Sequence, residues 1–71
     1  MRKHEAQELY LLVNTKADMD ALLFYVALRI EDAKERLMLA TDMETVHKLQ
    51  GSINELKRFY TLREEVNNPK D

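Results

Sequence analysis

Glu44-Thr45-Val46-His47 sets a carboxylate and an imidazole three residues apart, so that on a helix the two share a face. With Glu35 brought opposite, this is the ligand combination of carboxylate-bridged di-metal bundles, one Glu plus one Glu-x-x-His from each half. The same stretch argues against that use. Thr41-Asp42-Met43-Glu44 reads as a capping box that already occupies Glu44, and Val46 rather than His47 falls on the apolar line. Two-fold symmetry could also leave the two copies of such a site at opposite ends. Other titratable pairs, His4 with Glu8 and Glu31 with Glu35, sit four apart as on any charged helix face. No serine or cysteine stands beside a histidine, and no glycine-rich phosphate loop is present. The expectation is a protein with no catalytic residue, metal site or cofactor.

Nucleic acid is the next chemistry to weigh. Lys48, Lys57, Arg58 and Arg63 are interrupted by Glu55, Glu64 and Glu65, while Arg29, Lys34 and Arg36 are interrupted by Asp32 and Glu35. No basic stripe results, and few phosphates would be neutralised. The overall charge is balanced, with 11 basic against 13 acidic residues for a net of −2. In size and expected topology the chain resembles the Rop-like plasmid regulators, which implies, as an alternative function, an RNA- or DNA-binding regulatory bundle.

The elements that would position these residues are helices. One glycine and one proline in 71 residues, with 45% hydrophobic content, leave little material for turns and argue against disorder. The fold class is all-α, in a single domain over 1–71. Ala6, Leu9, Tyr10 and Val13 mark a short amphipathic helix from Arg2 to Val13. At Asn14 to Asp18 the chain either restarts, with Thr15 or Asp18 as N-cap, or runs straight through.

Asp20 to Ala40 forms the organising helix. Met19, Leu23, Val26, Ile30, Ala33, Leu37 and Ala40 alternate four and three, a coiled-coil seam. Ala21, Phe24 and Leu28 fall about 140–200° away from it on a helical wheel. The chain reverses at Ala40 to Asp42, with Thr41 as the expected N-cap of the next helix. There Val46, Leu49, Ile53, Leu56 and Tyr60 give a matching seam, which drifts through Phe59, Leu62 and Val66. Asn67-Asn68-Pro69 stops it, leaving 67–71 as an expected frayed tail.

The two seams can zip as an antiparallel hairpin, but that hairpin leaves Phe24 and Leu28 in water, with parts of Leu22 and Tyr25. Either the first helix folds back across the patch through Leu9, Leu12 and Val13, giving a three-helix unit, or a second subunit covers it. Subunit association is expected in both cases, because a chain this short builds a thin core and has no cysteine to staple it. Ala21, Leu22, Phe24, Tyr25 and Leu28 are therefore the candidate self-association surface of a homodimer or higher homo-oligomer. Helical spacing puts the aromatic set, Tyr10, Phe24, Tyr25, Phe59 and Tyr60, in core or interface.

Gly51 lies on the outward stripe of the last helix with His47, Asn54 and Arg58, the candidate surface for a different protein partner. It is either a tolerated surface glycine or a point of close backbone approach. Ser52 with Glu55 would make a further capping box, so a kink at Gln50-Gly51 is an alternative to a continuous helix.

Val46 to Asn68, VHKLQGSINELKRFYTLREEVNN, resembles the ending of short helical proteins encoded by tailed bacteriophages, through an L-Q-G-x-I-x-x-L pattern leading to L-R-E-x-V-N. The likeness spans about a third of the chain. It implies no activity, but suggests a small accessory or assembly protein, made in the host cytoplasm and acting by binding another protein; Leu49, Gln50, Gly51 and Ile53 would be its shared core. The longest apolar run, Ala21 to Leu28, is eight residues against the ~20 needed to cross a bilayer, and the N-terminus lacks a signal-peptide pattern. A soluble cytoplasmic protein is expected.

Overall fold

A computed structural model describes residues Met1–Lys70. Helix α1 covers Lys3–Asn14, α2 Lys16–Leu39, α3 Met43–Lys57 and α4 Leu62–Asn67; a 3-10 turn over Arg58–Thr61 joins the last two. No strand occurs among the described residues. The backbone stays helical through Arg58 and Leu62, so α3, the 3-10 turn and α4 act as one bent third rod.

The first helix ends by a single residue leaving the helical region. Thr15 takes φ −97°, ψ 112°, while its N–H still closes on the Leu11 carbonyl and its own carbonyl receives the Met19 N–H, each at 2.9 Å. Of the alternatives legible in the sequence, the chain thus restarts, with Thr15 at the boundary. At the start of α1 the Glu5 carboxylate accepts the Arg2 N–H at 2.9 Å, satisfying one of the amides a helix leaves unpaired there.

Two expectations, the Thr41 cap and Tyr60 in the seam, are corrected, and one open alternative is decided. The N-cap of α3 is Asp42, not Thr41: its carboxylate accepts the Thr45 N–H at 2.8 Å, and Glu44 turns outward to Lys48 at 3.2 Å. A carboxylate both caps and carries the negative charge that a helix N-terminus favours. Of the two alternatives at Gln50-Gly51, the helix is continuous: α3 runs through both, and the Ser52 hydroxyl donates back to the Lys48 carbonyl at 3.1 Å instead of capping a new turn. The tightening comes later, at Arg58–Thr61, where the Thr61 hydroxyl donates to the Arg58 carbonyl at 2.9 Å. That bend also removes Tyr60 from the seam and leaves it half-exposed, while delivering Val66 to the core.

Two clusters form the interior. Ala6 and Val13 of α1, Met19 of α2 and Val66 of α4 make the first, flanked by Leu9, Leu23 and Leu62; Val26, Ile30 and Ala33 of α2 with Ile53 of α3 make the second, flanked by Leu37 and Leu56. Leu22 packs against both. Of the expected frayed tail over 67–71, residue 71 lies outside the described residues; within the rest, Asn14 and Asn67 exchange side-chain amide hydrogen bonds at 2.9 and 3.1 Å, and the Lys70 N–H donates to the Met1 carbonyl at 2.9 Å.

The molecule extends 43 × 28 × 13 Å, so its thinnest direction is at most two helices deep. Its radius of gyration is 14.9 Å, against about 11 Å for a compact chain of this length.

Candidate interaction surface

Because α2 commits the stripe of Met19, Val26, Ile30 and Ala33 to the interior, its opposite side has nothing of its own to pack on. Phe24 remains 66% exposed, Tyr25 55% and Leu28 53%, and Ala21 beside them is exposed too. The N-terminal helix does not cover them. Its Val13 and Leu9 turn instead to Met19 and to Val66 of α4. Leu22, grouped with the outward set in the sequence, is half-buried within the chain's own core and ties its two clusters together. The patch that faces water is therefore Ala21, Phe24, Tyr25 and Leu28.

Arg29 lies one turn beyond Tyr25. Its guanidinium donates to the Tyr25 hydroxyl at 3.1 Å and stands 5.9 Å from the centre of the ring, an arrangement that holds both side chains along the helix. The hydrogen bond to Tyr25 raises the Arg29 pKa above its ordinary value. Farther along the same side, Asp32 pairs with Arg36 at 3.2 Å, so the apolar patch stops where the charges begin.

The second candidate surface runs along α3. His47, Gly51, Asn54 and Arg58 are all exposed, in one stripe turned away from Ile53. Nothing lies within 4 Å of where a Cβ at Gly51 would stand, so this glycine answers to no close contact inside the chain. Arg58 reaches Glu55 at 3.7 Å and Glu65 at 3.9 Å. The bend beside it opens a shallow depression of about 200 Å³, with Phe59 and Leu62 at its floor.

Two features escaped the sequence. Met38 and Leu39 are 85% and 81% exposed at the end of α2, and Met43 faces water across the connection. Their signal was present, since both Met38 and Leu39 fall outside the four-three spacing that selects Leu37 and Ala40. A groove of about 400 Å³ also opens where the α1–α2 junction meets the bent rod, between Lys16 and Asp20 on one side and Tyr60 and Arg63 on the other. Lys16 is held there by Asp20 at 2.8 Å, which raises its pKa above the usual lysine value.

For metal chemistry, Glu44 is engaged by Lys48 and His47 faces outward. No group of three potential ligand side chains comes together among the described residues. No described helix is long and apolar enough to cross a membrane. No known protein family, curated protein or solved structure matches the chain.

Proposed function

We propose that this chain is a non-enzymatic interaction module that self-associates and binds a different protein. In this reading α2 and α3 are the arms of an antiparallel hairpin, and hairpins from two copies build the helix bundle. The observation that carries it is the uncovered apolar side of α2 on so thin a molecule. The chain exposes 5732 Å² of surface, whereas a compact monomer of 8.4 kDa would expose roughly 4,600 Å². The excess, on the order of 1,100 Å², exceeds the ~800 Å² that each partner contributes to a standard interface. Each of Phe24, Tyr25 and Leu28 forfeits about 1.5–3 kcal/mol of transfer free energy if fully wet, and proportionately less at half exposure.

A non-catalytic role is supported by where the polar groups lie. No polar or charged residue is buried among the described residues, so none has the desolvated setting that tunes catalytic acids and bases. The stripe of His47, Gly51, Asn54 and Arg58 is the surface we assign to the other protein. The likeness of residues 46–68 to short phage proteins makes a phage accessory or assembly role, in the host cytoplasm, the setting we propose. A Rop-like role on RNA or DNA has less to stand on, since Lys34, Arg36, Lys48 and Arg58 each have an acidic neighbour within 4 Å.

Light scattering across a dilution series tests the reading. The expected result is a mass of two or more chains, with Phe24→Asp shifting it toward one chain at unchanged helix content. A folded monomer at every concentration would overturn self-association, and a gel shift that weakens steeply with salt would favour the nucleic-acid role.

A further inference from the structure

We infer that the uncovered side of α2 receives α2 of a second copy, antiparallel, with a two-fold axis beside Phe24 and a reciprocal Asp18–Arg29 pair fixing the register. This rests on the proposed self-association and adds its geometry.

Asp18, Tyr25 and Arg29 are spaced seven and four, so they line one flank of α2, while Ala17 and Phe24 lie toward the other. A two-fold axis perpendicular to two antiparallel helices sets like flank against like flank, each residue meeting one equally far on the other side of the axis. With the axis at Phe24, the two Phe24 rings meet at the centre and Ala21 of each copy comes within about a residue of Leu28 of the other, small against large. The same register brings each Asp18 to within about a residue of the other copy's Arg29. Apolar and charged pairings thus agree on one alignment to within about a residue.

Neither Asp18 nor Arg29 has an opposite charge within 4 Å among the described residues, although Lys16, Lys34, Arg36, Lys48 and Arg58 all do. The Tyr25 hydroxyl steers Arg29 along the flank where the other chain would lie. The reverse direction is disfavoured. In a parallel pair, Asp32 and Glu35 would stand level with their own copies, whereas in the antiparallel pair Asp32 meets the first turn of α2, whose N-terminal dipole favours an anion. The patch ends before Asp32, which suits a crossing centred on residue 24 and not a contact along the whole helix.

Charge exchange tests the register. Asp18→Arg and Arg29→Asp are each expected to raise the dimer dissociation constant roughly tenfold, and the double variant to return it close to wild type, by sedimentation equilibrium with helix content followed by circular dichroism. Direction is tested by cross-linking, since the chain has no cysteine: an equimolar mixture of Ala21→Cys and Leu28→Cys chains should oxidise to a mixed disulfide dimer, and Ala21→Cys alone should not. A dimer indifferent to both charge reversals, or one in which Ala21→Cys links to itself, overturns this arrangement and leaves self-association standing. A wild-type chain that is monomeric throughout removes both.

Discussion

The two ends of this molecule close their cores with different means. At one, α1, the start of α2 and α4 converge, and Ala6, Val13, Met19 and Val66 are enclosed by three helices. At the other, α2 and α3 have only each other, and Val26, Ile30, Ala33 and Ile53 form a single seam between two rods. A helix pair can bury one stripe of each member; a third helix is needed before a second stripe is covered. The three-helix end achieves this through its two breaks. Thr15 turns α1 back, and the 3-10 turn at Arg58–Thr61 sends α4 toward it. The two-helix end has no such device, and its tip shows Met38, Leu39 and Met43 to water.

Leu22 touches both clusters, which predicts that the ends unfold together. Ile53→Ala should cost about 2–5 kcal/mol, comparable with the whole ~3–5 kcal/mol that a core of this size supplies. Hydrogen exchange would then show α1 and α4 losing protection along with α2 and α3. Persistent protection at the three-helix end would separate the two ends into independent units.

The amide pair between Asn14 and Asn67 belongs to the three-helix end alone. Asn67→Ala should lower stability by ~0.5–1.5 kcal/mol, seen as a lower urea midpoint, with faster exchange in α4 than in the middle of α3. Gly51→Ala acts only on the other end. With open space around the position it should stabilise by up to ~1 kcal/mol; a drop in the melting temperature would show that another chain approaches there.

The smallest effect concerns the cap of α3. The Thr45 N–H bonded to Asp42 lowers that carboxyl's pKa below its usual 3.8. A depressed folded-state value means the contribution is fully present above the unfolded pKa and is lost as pH falls through the folded one. Asp42→Ala should therefore reduce the melting temperature at neutral pH and flatten its fall at acid pH; parallel curves for the two proteins would show that the cap carries no stability.

That Phe24 and Leu28 lie off the seam was legible because helical spacing alone sets their side of α2; that α1 leaves them uncovered was decided by where it packs, on Met19 and Val66. The side taken by Leu22 was not legible, since whether a residue at the margin of the stripe turns in or out depends on the neighbour that arrives. The Asp42 cap was misread as Thr41 because Thr-x-x-Glu and Asp-x-x-Thr overlap in register, and the two starts differ by only part of the ~1 kcal/mol that any good cap supplies.

What the sequence determined by itself is the helical class and the seam of α2, from Met19 through Leu37. Both are written in short-range quantities, the propensity of each residue and the four-three recurrence of apolar ones, which hold wherever the helix finds itself. Only the tertiary structure decided that the chain breaks at Thr15, that the third rod bends at Arg58–Thr61 and not at Gly51, and that Tyr60 leaves the core while Val66 enters it. Those choices lie within about a kilocalorie of one another locally, so they are settled by the larger energy of the contact made when α4 reaches α1.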